Sequence, residues 1–242
     1  MPAALDSDIR VPLPDGKSLR AALSLPEEPG LHPAVVVLHE AWGLNDDIRG
    51  IARRFAENGY VALAPDLYSH GSRARCLTRV MLDTVSGAGE RTLADIGATR
   101  AALAERPEVD AERIAVVGFC QGGGFALAFA GRGAVQAVAP NYGAVPRGRG
   151  SLDRICPVVA SYGGRDRFLG AKEAAKLERY LTELGVPHDV KVYDNVGHSF
   201  MGQADTWMAR LPSPLHPGYS EPEAEDAWRR ILDFFGQHLA KR

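Results

Sequence analysis

The residues best suited to chemistry form a Gly-x-Cys-x-Gly motif near the middle of the chain. Gly118, Cys120 and Gly122 follow a short apolar run, residues 114–117, and lead into a stretch of small apolar residues, 122–130. A buried strand that turns sharply into a helix lifts the central residue above the sheet, and the glycines leave room for the crowded backbone. The positive end of the helix favours a thiolate there. The motif therefore predicts a cysteine nucleophile at Cys120, the alternative being a buried structural cysteine.

Such a nucleophile needs a base, and the base needs an acid that orients it. Asp166 comes just after the apolar run 158–161, and His198 lies in a loop beyond the next predicted strand. This strand–turn–helix context requires the chain order nucleophile, acid, histidine, and functional groups gather at the carboxyl ends of parallel strands. The sequence therefore predicts a triad of Cys120, Asp166 and His198, with Asp194 as the competing acid.

A second cluster, residues 39–43 (His-Glu-Ala-Trp-Gly), follows the most apolar run of the chain. The loop at this place completes an oxyanion hole, so we expect the backbone N–H groups of Gln121 and Ala41 to be the two donors. A carboxylate at Glu40 would oppose a developing oxyanion unless it faced elsewhere. Glu40 is therefore either a functional acid or a capping or solvated glutamate.

Alternating strands and helices must position these residues. Apolar runs and alternation predict strands over residues 8–13, 18–25, 34–38, 60–64, 114–117, 135–139, 158–161 and 189–193. Helical periodicity and stop signals predict helices over residues 48–58, 93–105, 122–130, 171–184 and 223–239. The alternation predicts an α/β fold with a mostly parallel central sheet flanked by helices on both faces. The Asp15-Gly16 turn predicts an N-terminal antiparallel hairpin, and no linker divides the chain, so we expect a single domain over residues 1–242.

Composition excludes several functional classes. The 242 residues carry a formal net charge of −2 and are 45% hydrophobic, which is typical of a globular protein and lacks the basic excess of a nucleic-acid binder. The longest apolar runs fall far short of the roughly 20 residues that span a membrane. Three cysteines, Cys76, Cys120 and Cys156, are too few and too odd for a disulfide framework, and no C-x-x-C pair suggests zinc. We therefore expect a cytoplasmic protein with no nucleic-acid or membrane partner.

Six short motifs occur in order along most of the chain. They are His39-Glu40-Ala41-Trp42-Gly43, Pro65-Asp66-Leu67-Tyr68, Gly118-Phe119-Cys120-Gln121-Gly122-Gly123, Tyr142-Gly143, Gly163-x-x-Asp166 and Gly197-His198-Ser199-Phe200. Together these motifs resemble the dienelactone hydrolase family of the α/β-hydrolase fold. The combination of the glutamate with Gly-x-Cys-x-Gly is specific within that fold.

The resemblance implies hydrolysis of a small ester or lactone, such as the enol-lactone dienelactone, through an acyl-enzyme on Cys120 and without a metal or cofactor. It implies that His198 is the base and Asp166 its orienting partner. It also gives Glu40 a role, because the matching glutamate of the family contacts the resting thiol and takes its proton when substrate binds. A neutral resting thiol is less open to oxidation than a thiolate.

The sequence departs from the family at the arginine that grips the substrate carboxylate, four residues after the catalytic histidine. That position is Gly202 here. The candidates for a second family arginine are Arg73, Arg75 and Arg79. Losing a bidentate carboxylate contact weakens the case for an anionic substrate. The residues expected to line a more apolar pocket, with core packing as the alternative, are Trp42, Tyr142, Phe200 and Met201.

Two other functions stay open at this point. One is a broad carboxylesterase or thioesterase that acts on neutral substrates. The other is a non-catalytic relative whose exposed thiol senses oxidants or binds a ligand. Either a monomer or a homodimer is compatible with the sequence.

Overall fold

The computed structural model describes residues 4–69, 76, 78, 83, 89–203 and 218–240. Its strands are β1 (Leu5–Pro12), β2 (Ser18–Leu25), β3 (His32–Leu38), β4 (Val61–Pro65), β5 (Val109–Phe119), β6 (Ala137–Asn141), β7 (Val158–Gly163) and β8 (His188–Tyr193). Its helices are α1 (Asp46–Glu57), α2 (Glu90–Ala104), α3 (Gln121–Ala130), α4 (Ala171–Leu184) and α5 (Glu221–His238), with a short 3-10 helix at Arg149–Leu152. Within these ranges, no helix combines the length and the apolar character needed to cross a bilayer.

All eight strands belong to one sheet in the order β1-β2-β4-β3-β5-β6-β7-β8. The six strands β3 to β8 are parallel to one another, whereas β2 runs antiparallel to both β1 and β4. The tight turn between β1 and β2 contains Gly16 at φ +78°, a conformation that glycine adopts without steric cost. The predicted α/β-hydrolase architecture, with its N-terminal antiparallel hairpin, is therefore confirmed.

The central strands are buried on both faces of the sheet. Val36 of β3 packs in a hydrophobic cluster with α2, α3 and α4, whereas its neighbours Val35 and Val37 pack in a second cluster with α1 and α5. A parallel strand covered by helices on both sides has no polar face, which explains the unbroken apolar run over residues 34–38. The same covering leaves the carboxyl ends of the strands as the open edge where side chains can act.

Local sequence signals fix several element boundaries. The Asn45 side chain caps α1 by accepting a hydrogen bond from the Ile48 N–H at 3.0 Å. Gly185 ends α4 at φ +66°. β5 extends well beyond the predicted run 114–117, because its pairing with β3 continues across a register shift to Val109 opposite His32. Polar residues in that extension hid it from a search for apolar runs.

Candidate active site

Cys120 occupies a sharp turn between β5 and α3. Its backbone has φ 55° and ψ −120°, a conformation that costs a non-glycine residue about 1–3 kcal/mol. Two glycines permit the turn. A Cβ on Gly118 would lie 2.1 Å from the Gly122 carbonyl oxygen, and a Cβ on Gly122 would lie 2.5 Å from the Leu38 carbonyl oxygen. The strand–turn–helix motif thus has the geometry of a nucleophile elbow, with a half-buried free thiol at its tip.

Backbone strain is concentrated at this edge of the sheet. In the part of the chain that the structure describes, the non-glycine residues with positive φ are Cys120, Tyr142 at 41° and Ser199 at 56°. Tyr142 directly follows β6, and Ser199 directly follows His198. Strained residues persist only where the surroundings hold them, and they cluster at functional sites.

His198 and Asp166 form a buried pair beside Cys120. The Nδ1–H of His198 donates to Oδ2 of Asp166 at 2.7 Å. The other carboxylate oxygen, Oδ1, accepts hydrogen bonds from the N–H groups of Phe168 and Leu169, both at 2.9 Å. Both carboxylate oxygens of Asp166 therefore accept hydrogen bonds. Because Nδ1 of His198 faces Asp166, the other ring nitrogen, Nε2, points away from it. The competing acid Asp194 is exposed.

The pKa values of this pair are shifted in opposite directions. Burial works to lower the pKa of His198, but its hydrogen bonds with Asp166 and Cys120 outweigh burial and raise it to about 10. Burial also works to raise the pKa of Asp166, but the hydrogen bonds from His198 and the backbone outweigh it and lower that pKa. The arrangement therefore favours a protonated His198 imidazolium beside an ionised Asp166 carboxylate.

A backbone contact joins the loops that carry Asp166 and His198. A Cβ on Gly163, at the end of β7, would lie 2.2 Å from the Gly197 carbonyl oxygen. Only glycine allows the two segments to approach so closely. The separation of Asp166 and His198 is therefore set by the backbone as well as by their own hydrogen bond.

The two expected oxyanion donors lie on adjoining segments. Gln121 is the first residue of α3, so its N–H has no partner within the helix. Among the described residues, none accepts a hydrogen bond from the N–H of Gln121 or of Ala41. The Ala41 loop follows β3, and the approach of Gly122 to Leu38 brings it against the start of α3. Two such N–H groups can stabilise the negative charge of a tetrahedral intermediate.

Glu40 is buried, with only 7% of its surface exposed, so it is not a solvated glutamate. Burial is the main cause that raises its pKa, partly opposed by His198 and Ser199. Its carboxyl group lies against Tyr142, and both Glu40 Oε1 and the Tyr142 hydroxyl are buried without a hydrogen-bond partner of good geometry in the described chain. Glu40 is therefore a group that can hold a proton close to the base.

Two carboxyl groups face the position of Gly202. A Cβ there would lie 3.4 Å from Asp47 Oδ2 and 3.6 Å from Glu40 Oε1, both ordinary contact distances. Burial raises the pKa of Asp47, whose Oδ1 accepts a hydrogen bond from the Gln203 N–H at 3.1 Å. The described side chains at this corner of the site are therefore acidic.

The expected pocket lining requires a correction. Phe200 and Met201, exposed by 0% and 3%, pack in the hydrophobic cluster beneath the site and offer no surface to a substrate. Tyr142 is also fully buried, and its ring packs edge-on against Phe200 at a centroid distance of 5.7 Å. Trp42 keeps some exposed surface. The structure thus shows core packing, the alternative interpretation, for Tyr142, Phe200 and Met201, whereas pocket lining by Trp42 stays a prediction. Arg73, Arg75 and Arg79 lie outside the described residues.

A cavity of about 700 Å³ lies beside the first turns of α3. Its lining includes Gln121, Phe125 and Val145, together with Phe168 and Leu169 next to Asp166. Phe168 is 66% exposed, which is unusual for so large an apolar side chain. The cavity provides space next to one expected oxyanion donor, and its lining is mixed, because it also includes the charged residues Asp83, Glu90, Arg132, Arg147, Glu173 and Lys176.

The other two cysteines have none of these features. Burial raises the pKa of Cys156 to about 12, so its thiol stays protonated. Cys76 is buried. In the ranges that the structure covers, no group of three or more His, Cys, Asp or Glu side chains could hold a metal ion.

Sequence reasoning gave no role to several residues that the structure brings to this edge. They are His39, Asp47, Tyr68, Ser199 and the side chain of Gln121. Tyr68 and His39 carried an available signal, because each follows the carboxyl end of a buried strand. Asp47 lies inside the first turn of α1, where acidic residues are routine, so nothing in its position marked it.

Comparison with known proteins places these features in context. A model of the dienelactone hydrolase family matches residues 19–239. A Methylorubrum extorquens protein provisionally named a carboxymethylenebutenolidase is 28% identical over 96% of this chain and 80% of its own. The structure of a Klebsiella pneumoniae protein provisionally named a dienelactone hydrolase is 25% identical, with a TM-score of 0.80 over 97% of this chain and 99% of its own. A dienelactone hydrolase-like promiscuous phosphotriesterase from metagenomic libraries is 26% identical, with a TM-score of 0.83 over 98% of this chain and 99% of its own.

Proposed function

We propose, since the chain belongs to the dienelactone hydrolase family and is a hydrolase of ester or lactone bonds, that it cleaves a small ester or lactone through a covalent acyl-enzyme on Cys120. The observation that carries this proposal is the strained Cys120 thiol in contact with His198, which is itself hydrogen-bonded to Asp166 at 2.7 Å. The three residues also follow the chain order nucleophile, acid, histidine, which supports the proposed roles of Cys120, Asp166 and His198.

In the first half of the reaction, the Cys120 thiolate attacks the substrate carbonyl carbon and forms a carbon–sulfur bond. The N–H groups of Gln121 and Ala41 stabilise the oxyanion. When the oxyanion collapses, the bond to the leaving oxygen breaks, and protonated His198 gives that oxygen its proton. The product of this half is a thioester and an alcohol, which stays attached to the acyl group if the substrate is a lactone.

In the second half, neutral His198 takes a proton from a water molecule, and the resulting hydroxide attacks the thioester carbonyl. Collapse releases the carboxylic acid and regenerates the Cys120 thiolate beside an imidazolium. Asp166 stays ionised throughout and holds the imidazole in one tautomer, as its lowered pKa requires. No further co-reactant is needed.

Glu40 is proposed to exchange a proton with the thiol when substrate enters. Its pKa, raised mainly by burial, and its place beside His198 suit a carboxyl group that can take up and release a proton. The family resemblance suggests the same role. A reducing, cytoplasmic setting is proposed with it, because a free Cys120 thiol has to be preserved between turnovers.

The substrate is proposed to be uncharged near the acyl carbon. Asp47 and Glu40 flank Gly202, so a substrate carboxylate placed there would meet two acidic groups. The cavity beside Gln121 has both apolar lining, such as Phe125 and Val145, and charged lining, such as Arg132 and Lys176, so it can take a hydrocarbon arm with a polar end. A broad esterase or thioesterase activity on neutral substrates is therefore favoured over a strict preference for anionic dienelactone, and the promiscuity of the metagenomic relative agrees with this breadth.

The decisive experiment compares the wild type with Cys120→Ala on p-nitrophenyl acetate and on dienelactone. We expect the substitution to lower kcat by about 10⁶-fold, as for other enzymes whose nucleophile is removed. A slow ester should acylate the wild type at Cys120, and the adduct should turn over. Equal hydrolysis by the two proteins would refute the proposal, and an adduct that forms without product release would indicate a thiol sensor instead.

The same assay extends to a panel of lactones, esters, thioesters and a phosphotriester, with carboxylate-bearing and neutral members matched in size. We expect the neutral members to have the higher kcat/KM. A strong preference for carboxylate-bearing lactones would contradict an uncharged substrate. It would indicate that a cationic side chain binds the carboxylate, either one that lines the cavity, such as Arg132 or Arg147, or an arginine outside the described residues.

A further inference from the structure

Tyr68 connects the two segments that carry the oxyanion donors. It follows β4 and lies 53 positions before Gln121, the residue to which its side chain is bonded. The Gln121 Nε2 donates to the Tyr68 hydroxyl at 2.8 Å, and that hydroxyl donates to the Ala41 carbonyl oxygen at 3.1 Å. A single phenol is thus hydrogen-bonded to both residues whose N–H groups are the proposed donors.

The protons in this chain of hydrogen bonds can be assigned. A carbonyl oxygen only accepts, so the Tyr68 hydroxyl donates its one proton to Ala41 and has to accept from the Gln121 amide. Gln121 therefore turns its NH₂ group toward Tyr68, and its Oε1 is left buried without a hydrogen-bond partner in the described chain. An apolar side chain at this place would avoid that cost, which indicates that the amide is retained for its bond to Tyr68.

His39 fixes the peptide next to the same carbonyl. The Leu67 N–H donates to His39 Nε2 at 3.1 Å, so the ring proton is on Nδ1, which donates to the Glu40 carbonyl oxygen at 2.7 Å. In a trans peptide the Ala41 N–H points opposite to the Glu40 carbonyl. His39 therefore sets the direction of the Ala41 N–H, and its ring packs against that of Tyr68 at a centroid distance of 4.8 Å.

Tyr68 is itself held by the turn that follows β4. Its backbone N–H donates to Asp66 Oδ1 at 3.0 Å, and Asp66 is bound in turn by Arg20 at 2.7 Å. The turn that carries Tyr68 is therefore stabilised by hydrogen bonds, so the Tyr68 hydroxyl can fix the position of the Ala41 loop.

We propose that Tyr68 is a positioning residue for the oxyanion hole, acting through hydrogen bonds to the Gln121 side chain and the Ala41 carbonyl to hold the two donor N–H groups at a fixed separation. This inference rests on the proposed function, because an oxyanion forms only if Cys120 attacks a carbonyl. Tyr68 itself touches no reacting atom. The effect should therefore be confined to steps that develop charge on the carbonyl oxygen.

The test uses Tyr68→Phe, Gln121→Leu and the double variant in the full-length protein. For p-nitrophenyl acetate we expect each single variant to lower kcat about 10- to 100-fold with KM changed by less than about twofold, since a misplaced donor weakens the transition state. Affinity for a methyl trifluoromethyl ketone, which forms an oxyanion on addition of the thiol, should fall by a similar factor. Alkylation of Cys120 by iodoacetamide, which forms no oxyanion, should keep its rate. The double variant should be no slower than the slower single variant, because both remove the same connection.

Tyr180→Phe is the matched control, because the Tyr180 hydroxyl also donates to a backbone carbonyl at 3.1 Å, that of Arg147. It should leave kcat and ketone affinity unchanged. The proposal is overturned if Tyr68→Phe and Gln121→Leu keep wild-type kcat, if alkylation falls as much as ketone affinity, or if the two effects multiply. Gln121→Leu carries the test alone if Tyr68→Phe does not fold. Failure of the proposed function would look different, because wild type and Cys120→Ala would then hydrolyse the ester equally.

Discussion

The two sides of the candidate site differ in how completely their polar atoms are paired. On the triad side, both oxygens of Asp166 accept hydrogen bonds, and His198 is bonded to Asp166 and in contact with Cys120. On the other side, which we call the acidic corner (Glu40, Asp47, Tyr142 and Gly202), Glu40 Oε1 and the Tyr142 hydroxyl are buried without well-aligned partners in the described chain.

This difference separates two tasks. A fully paired polar cluster in a low-dielectric setting is rigid, because moving any member breaks a strong hydrogen bond. An incompletely paired cluster has unused hydrogen-bonding capacity, which a substrate can satisfy. We infer that the triad side performs the reaction and that the acidic corner responds to the substrate. Substitutions should therefore cost far more rate on the first side than on the second.

Asp166→Asn should have the largest effect on this comparison. The N–H groups of Phe168 and Leu169 hold the amide oxygen in the Oδ1 position, which turns the NH₂ group toward His198 Nδ1. His198 then has to accept there, so its proton moves to the nitrogen that faces Cys120 and it can no longer act as a base. We expect kcat/KM for p-nitrophenyl acetate to fall about 10³- to 10⁴-fold.

Asp194→Asn is the matched control, because Asp194 is an exposed aspartate four residues before His198. It should retain wild-type activity. A larger loss in Asp194→Asn than in Asp166→Asn would transfer the orienting role to Asp194 and contradict the triad as drawn.

The pH profile should show an alkaline limb that depends on the leaving group. His198 with a pKa of about 10 stays protonated up to that pH and loses its proton above it. An ethyl ester needs that proton for its leaving alkoxide, so kcat/KM for the ethyl ester should fall above about pH 10. A p-nitrophenolate leaves without a proton and should show a much weaker limb. Identical alkaline limbs for the two esters, measured after subtraction of spontaneous hydrolysis, would argue against His198 as the acid.

Glu40→Gln should lower the rate least among these substitutions, and it should raise the stability of the protein. The pKa of Glu40 is higher in the folded protein than in the unfolded chain. As pH rises above the unfolded-state pKa, the free energy of unfolding of the wild type therefore falls, whereas that of the glutamine variant does not fall for this reason. We expect kcat to fall about tenfold and the free energy of unfolding at neutral pH to rise by about 1 kcal/mol. Denaturant unfolding across pH measures the second quantity. Lower stability, or a rate loss as large as that of Asp166→Asn, would contradict this prediction. It would indicate that Glu40 belongs to the fully hydrogen-bonded triad side.

The sequence predicted the parts of the site that depend on local rules. A strand, two glycines and a helix around Cys120 define the elbow within a few residues, and chain order selected Asp166 and His198 from many acids and seven histidines. The sheet, its hairpin and most element boundaries followed from periodicity and turn residues in the same way.

The parts that could not be predicted depend on contacts between distant segments. The bond between Gln121 and Tyr68 spans 53 positions, and no local pattern encodes it. Phe200 and Met201 were expected in a pocket and lie in the core, because residue type alone does not separate an apolar wall from an apolar interior. Asp47 reaches Gly202 only through the packing of α1 against the loop after His198.

The contact between Gly163 and Gly197 also restricts how this sequence can diverge. A methyl group on Gly163 would overlap the backbone of Gly197, whereas a methyl group on Gly50 or Gly236 would meet nothing within 4 Å. Substitution is therefore strongly restricted at Gly163, at the edge of the sheet that carries the candidate site, and free of steric conflict at Gly50 and Gly236. We therefore expect relatives with different substrates to differ around Gly202, where a side chain fits, and to keep glycine at the contact between Gly163 and Gly197.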